Sequence, residues 1–271
     1  MDSANVPARL RLLDRTSRTC EAIMLPFAFD EAYGKQVGEG RLEPAVHLWR
    51  HERAFVLGAR DGKLPYAGAA ISWLRGQGYQ VSIRNSGGAA VPLDCGVVNL
   101  SLILPTRPGE LDIQRHFVLM ADLIRHSLAT CTDRIETGEV SGAYCPGEYD
   151  LSLDGKKFCG IAQRRQTRAV IIQAFVLVEG SGEERGRLVT QFYQHAAKDR
   201  AQSGFPRVQC ARMASLSELI GKMSAASFIG LLKQQLRRRG QLIEGEFAAR
   251  ETLEQTQRMV NEYRARYPLP S

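Results

Sequence analysis

The sequence holds no uninterrupted apolar stretch close to the roughly 20 residues that a membrane-spanning helix needs, so no membrane partner is expected. Internal repeats, low-complexity tracts and long linkers are also missing, which leaves the organisation of an ordinary compact domain. The first residues, Met1-Asp2-Ser3-Ala4-Asn5, lack the basic-then-apolar order of a secretory signal, and a cytoplasmic location is expected. Six cysteines are present (Cys20, Cys95, Cys131, Cys145, Cys159 and Cys210), but no Cys-x-x-Cys pair or other zinc-ligand cluster occurs, so no metal is expected. Without an export signal, the even count does not imply disulfides. Most of these thiols read as small buried hydrophobes, and the question is which one is placed to react.

Acidic residues are the scarcer charge, 29 against 36 basic, giving a net charge of +7 and a pI near 9.2. Such an excess suits an acidic partner. The densest basic run, Arg237-Arg238-Arg239, falls at the expected end of a helix, where cations complement the helix dipole. No nucleic-acid motif accompanies it, so a nucleic-acid partner is not expected.

The 271 residues, 44% hydrophobic and 24% charged, can bury one substantial core, or one core with an appended helical segment. Short helices and strands alternate. Helices are expected at Asp30–Gly38, Ala67–Gly76 and Ile113–Leu128, the last with Phe117, Met120, Leu123, Ile124 and Leu128 at helical spacing. Strand-like material surrounds Trp49 and Phe55, and Tyr79–Ile83 alternates like a half-buried strand. Arg134–Val140 is a candidate strand, and Tyr149–Leu153 with Lys157 onward reads as a hairpin turning at Asp154-Gly155. Ala169–Val178, apolar and β-branched, reads as an interior strand. The remainder reads as helical over Arg187–His195, Ser215–Gly221, Ala225–Arg239 and Phe247–Tyr267, with Ser215 and Glu218 at capping-box spacing. An α/β or α+β core with a C-terminal helical extension follows.

Three segments carry chemistry-bearing residues. Arg84-Asn85-Ser86-Gly87-Gly88-Ala89-Ala90-Val91 ends a strand in paired glycines, which permit positive φ and close approach of backbone N–H groups to a ligand. Its spacing is that of neither a P-loop nor a dinucleotide fingerprint, and a plain turn is the simpler reading. Ser141-Gly142-Ala143-Tyr144-Cys145-Pro146-Gly147-Glu148 sets a cysteine in a Gly- and Pro-containing loop, where catalytic residues concentrate. In Asp154–Arg165, strict alternation puts Lys157, Cys159 and Ile161 on one strand face and Lys156, Phe158 and Gly160 on the other. One lysine should then point inward, where it could donate to an acyl carbonyl and act on a nearby thiol. Cys159 is a rival nucleophile because it shares that face, although a strand position favours an inert, packed thiol. The histidines suggest no site: His116 and His126 are ten apart, and His47 and His51 flank Trp49 and Arg50 in a segment read as strand.

These segments also carry a resemblance. Arg84-Asn85-Ser86-Gly87-Gly88, followed by Gly96 and Asn99, resembles the (R)-x-(S/T)-G-G loop of lipoate-protein ligases and octanoyltransferases. Gly155-Lys156-Lys157-Phe158-Cys159-Gly160-Ile161-Ala162-Gln163 resembles a second motif of that family, with Cys159 standing where alanine is usual and Arg168 where a glycine-containing turn is usual. Tyr144–Ser152 is most similar to the branch that performs lipoyl relay by amidotransfer. The likeness runs in order from Phe27, through Asp30-Glu31, Trp49 and Leu57-Gly58, to at least Ser217.

The resemblance implies the biotin/lipoate protein ligase fold, a mixed sheet flanked by helices, with a catalytic core over 20–214 and a helical extension over 215–271 packed on it. It implies Cys145 as nucleophile, Lys157 as functional lysine, and Arg84, Ser86, Gly87, Gly88, Gly160 and Ala162 at the acyl site. The cysteine branch forms an acyl-thioester and needs no cofactor, whereas the ligases use ATP. The implied donor is octanoylated glycine-cleavage H protein, and the implied acceptors are the lipoyl domains of 2-oxoacid dehydrogenase subunits. Three other readings stand beside it: an octanoyltransferase charged by acyl-carrier protein, an ATP-dependent lipoate ligase, which would leave the Cys145 segment without a task, and a non-catalytic module that binds lipoyl domains or fatty acid.

Overall fold

A computed structural model describes residues 7–110, 112–197, 205–245 and 250–270. The expectations for Met1–Asn5 and for the helix start at Phe247 lie outside these residues. Two sheets organise the chain. The larger has eight strands in the order β11-β1-β2-β6-β10-β9-β8-β7. These are β1 (Arg9–Arg15), β2 (Ala45–Trp49), β6 (Val97–Pro105), β7 (Glu136–Thr137), β8 (Leu151–Leu153), β9 (Lys156–Arg165), β10 (Ala169–Leu177) and β11 (Gln241–Ile243). The β1 strand runs parallel to both its neighbours, and the remaining pairs are antiparallel, so the sheet is mixed. The smaller sheet is β4-β3-β5, from β3 (Arg53–Leu57), β4 (Gln80–Ile83) and β5 (Val91–Asp94).

The central strands are buried on both faces, so they read as nearly continuous apolar runs instead of alternating ones. In β6, Leu100, Leu102 and Leu104 turn to one face, where α3 (Ile113–Ser127) and α6 (Ala225–Arg239) supply Leu119, Met120, Leu123 and Phe228. On the other face Ile103 and Ile171 meet Phe29 and Tyr33 of α1 (Met24–Gly38). The small sheet packs on α2 (Ala67–Gly76) and α4 (Gly182–Ala197), with Phe55 and Phe192 ring centroids 5.0 Å apart. The α5 helix (Leu216–Ile220) starts with the expected capping box, Ser215 accepting from the Glu218 backbone. The α7 helix (Arg250–Arg266) lies against α1, and Gln36 Nε2 donates to Thr252 at 3.2 Å. Among the described residues no helix is long and apolar enough to cross a membrane.

Several expectations shift. The α1 helix starts six residues before Asp30, admitting Pro26 in its first turn, where a missing N–H costs nothing. Of Arg134–Val140 only Glu136–Thr137 pairs, because Gly138 takes φ +154° and the chain leaves the sheet. The β4 strand is more buried than a half-buried strand should be. The strands β1, β5, β6 and β11 have no counterpart in the sequence reading. Of these, β6 does carry a local signal, since Val98-Asn99-Leu100-Ser101-Leu102 alternates apolar and polar.

The largest correction concerns β9. Ser152 pairs with Lys157, but Leu151 pairs with Cys159, so Phe158 is an extra residue in a β-bulge. Phe158 and Cys159 therefore both enter the core beneath α3, while Lys157 and Gly160 face the other way. Lys157 and Cys159 do not share a face.

Candidate functional site

Two rows of side chains cross the larger sheet on its α1 face. Strand pairing sets Trp49, Asn99, Phe175 and Gly160 side by side in one row, and His47, Ser101, Gln173 and Ala162 in the next. The small residues Gly160 and Ala162 on β9 leave room above the sheet. A Cβ added at Gly160 would lie 2.5 Å from the Phe175 ring. The space left is a cavity of about 430 Å³, within the range of small-molecule pockets. Its apolar lining includes Phe27, Trp49, Val91, Leu93 and Phe175. In the second row Asp30 gathers three donors: His47 Nδ1 at 2.8 Å, Ser101 Oγ at 2.6 Å and Gln173 Nε2 at 2.9 Å. Ile103 and Ile171, packed under α1, fill the row beyond.

Cys145 reaches this cavity from the loop between β7 and β8. The residue is 9% exposed and adopts φ +48°. A non-glycine residue in that region costs on the order of 1–3 kcal/mol and persists only where its surroundings enforce it. Lys157, fully buried, donates to the Cys145 carbonyl at 2.5 Å, to the Tyr144 carbonyl at 3.1 Å and to Asp150 Oδ2 at 2.7 Å. These acceptors use all three donors of an ammonium. The lysine thus points inward as expected, and grips the backbone oxygen of Cys145 instead of its sulfur.

The sulfur meets other groups. Arg84 Nη2 donates to Sγ at 3.1 Å and the Ala89 N–H donates at 3.3 Å. Arg84 is itself fixed by the loop it starts, through Gly87 O at 2.9 Å and Ala89 O at 2.7 Å. Gly88, at φ +92°, passes so close that a Cβ there would stand 2.8 Å from the sulfur. Ser86 and Asn99 line the cavity, and among the described residues neither the Ser86 hydroxyl nor the Asn99 nitrogen has a partner.

Burial raises the Asp150 carboxyl from 3.8 to about 6, against the opposing pull of the Lys157 charge and the Gly147 N–H. Burial also pushes the Cys159 thiol well up, away from the thiolate form that reacts. Among the described residues no three His, Cys, Asp or Glu side chains are grouped to hold a metal ion.

A sequence model of the lipoyl protein ligase A/B catalytic domain matches residues 23–237. The chain belongs to this family. It is 43% identical over 220 residues to the octanoyl-[GcvH]:protein N-octanoyltransferase of Anoxybacillus flavithermus, covering 80% of this chain and 79% of that one. With the enzyme of the same name from Geobacillus kaustophilus it shares 46% over 196 residues, 72% of this chain and 69% of that one. A crystal structure of lipoate-protein ligase A bound with ATP superposes with a TM-score of 0.71 at 18% identity, covering 95% of each chain, which establishes the common fold.

In this lipoyl protein ligase A/B domain, every site residue named from sequence lies at or beside the one cavity. Arg84, Ser86, Gly87, Gly88, Cys145, Gly160 and Ala162 line it, and Lys157 stands behind the loop that bears Cys145. Sequence reasoning missed Asp150, the partner of Lys157. It also assigned no task to Glu31, which binds Asn85 and Arg164 and so ties the paired-glycine loop to α1 and β9. On the loop's other side, Tyr193 accepts from Ala90 N at 3.3 Å and donates to Asp61 at 3.0 Å. No local pattern announces these contacts: those of Glu31 and Tyr193 join residues far apart in the chain, and Asp150 meets Lys157 only across the bulged hairpin.

Proposed function

We propose that this chain is an octanoyl-[GcvH]:protein N-octanoyltransferase working through a thioester on Cys145. The observation that carries the reading is the Cys145 sulfur at an apolar cavity, with a guanidinium and a backbone N–H directed at it. The two donors hold the sulfur in place at the cavity, and the thiolate is the form that attacks. The names of relatives that match most of the chain supply the donor, octanoylated GcvH.

The donor's acyl chain occupies the cavity, and its amide carbonyl lies over Cys145. Attack by sulfur forms a C–S bond and a tetrahedral oxyanion. The unpaired donors of the cavity wall, the Asn99 amide and the Ser86 hydroxyl, are available to that charge where it develops. Collapse breaks the C–N bond, and the lysine amine leaves carrying the proton that the thiol gave up. A lysine of an acceptor lipoyl domain then attacks the thioester and restores the thiol. One amide replaces another, so no nucleotide is consumed.

The test is the intact mass of the protein after mixing with octanoylated GcvH without ATP, beside Cys145→Ala. An octanoyl adduct on the wild type alone, discharged by a lipoyl domain, supports the relay. An adduct formed only from octanoylated acyl-carrier protein assigns that donor instead. No adduct from either ends the thioester reading and returns the chain to a binding module.

A further inference from the structure

Asp150 takes no part in the transfer written above, yet it is among the most enclosed carboxylates of the protein, at 1% exposure. One of its oxygens meets Lys157 Nζ at 2.7 Å and the Gly147 N–H at 2.9 Å, while its own N–H returns to Gly147 O at 3.1 Å. Charged groups facing it come from separate elements: Lys157 on β9, and Glu139 from the segment after β7. A buried ion pair is weak evidence for stability, since desolvation offsets the attraction. Its role is better sought in what it holds.

What it holds is the nucleophile's own backbone. An ammonium on a four-carbon stem can rotate among acceptors, and Asp150 fixes which way this one points. The other two donors of Lys157 then fall on the carbonyls of Tyr144 and Cys145. That grip opposes the return of Cys145 from φ +48° to an ordinary conformation, which would swing the sulfur off Arg84 and Ala89.

We propose that Asp150 is a positioning residue for acyl transfer: through Lys157 it holds the Cys145 peptide in the left-handed conformation that sets the sulfur against Arg84 Nη2 and the Ala89 N–H. The proposal rests on Cys145 being the nucleophile. Asp150 touches neither substrate nor sulfur and acts only through the lysine. Binding of the donor is therefore untouched, and only the rate of the chemical step responds.

The experiment measures octanoyl-enzyme formation from octanoylated GcvH for wild type, Cys145→Ala, Asp150→Asn, Lys157→Met and the Asp150→Asn/Lys157→Met double variant, with thermal unfolding run beside each. Asp150→Asn should lower the saturated rate about tenfold or more, with the half-saturating donor concentration changed less than twofold. In the Lys157→Met background the same change should have no further effect, because residues acting as one unit are not additive. A wild-type rate in Asp150→Asn, or effects that multiply in the double variant, overturns the proposal. If Asp150→Asn does not fold, Asp150→Glu keeps the charge and displaces it by one methylene. A reduced rate at unchanged half-saturation then upholds the role, and a wild-type rate removes it. Charging of Cys145→Ala at the wild-type rate would instead bring down the thioester reading itself, and this inference with it.

Discussion

Lys157 donates to the backbone oxygen of Cys145 at 2.5 Å, while the sulfur of the same residue takes its hydrogen bonds from Arg84 and Ala89. These two cations thus stand on opposite sides of one residue, Lys157 behind the Cys145 peptide and Arg84 in front of its thiol. Each can be tested by itself.

Lys157→Met leaves the Asp150 carboxylate buried without its cation. Removing one partner of a buried pair costs about 3–5 kcal/mol. The sign of the pH dependence follows from Asp150, whose carboxyl lies above its unfolded value, at about 6 against 3.8. Its favourable contribution is complete below the unfolded value and is lost as pH rises through the folded one. Without the lysine that folded value moves further up, so the destabilisation should be smaller at pH 5 than at pH 8. Urea unfolding of both proteins at the two pH values measures this.

Arg84→Met removes the charged donor from the Cys145 sulfur. Hydrogen bonds to charged groups contribute about 1.5–3 kcal/mol, so alkylation of Cys145 by iodoacetamide at fixed pH should slow by about tenfold to hundredfold. The rate must be followed on the Cys145 peptide, because Cys20, Cys95 and Cys131 are exposed and will also react. An unchanged rate would remove Arg84 from the thiol's activation.

Gly88→Ala asks for a Cβ 2.8 Å from the Cys145 sulfur, on a backbone at φ +92° that side chains avoid. The variant should be destabilised by about 1–3 kcal/mol and should form octanoyl-enzyme at least tenfold more slowly. Intact-mass time courses give the rate, and a wild-type time course would show that the loop relaxes freely.

Cys159→Ala should leave acyl transfer within about twofold of wild type and cost about 1 kcal/mol of stability, because this thiol packs beneath α3 on the far side of the sheet. Loss of octanoyl-enzyme in this variant, with the fold intact by circular dichroism, would restore Cys159 as a candidate nucleophile.

Features with a local cause were legible in the sequence. The Asp154-Gly155 turn has both residues at positive φ, +51° and +71°. The Ala67–Gly76 helix has the bounds its periodicity predicts. The Ser215–Glu218 capping box forms. The family's motifs likewise pointed to residues that meet at one cavity. What was not legible depends on register and on distant partners. Asp150 finds Lys157 only across a bulged hairpin, and nothing in Tyr149-Asp150-Leu151 marks that carboxylate for burial. Glu31 meets Asn85 and Arg164 across separations of 54 and 133 residues. The cysteine's left-handed backbone and the arginine's aim at sulfur are likewise products of tertiary structure.

The extra residue at Phe158 makes chain length itself part of the specification. Strands normally alternate, so losing one residue from Lys157-Phe158-Cys159 would restore the simple pattern and still leave a well-formed hairpin. Loss of Phe158 or Cys159 would leave Lys157 and Gly160 on their common face, because the two residues of the bulge point the same way. Strict alternation at the present length would instead turn one side over: either the ammonium would be driven among the leucines beneath α3, or Gly160 and Ala162 would surrender the space above the sheet to their bulkier neighbours. Composition records nothing of this choice, whereas the cavity and the hold on Cys145 could not both survive a hairpin of this length without the bulge.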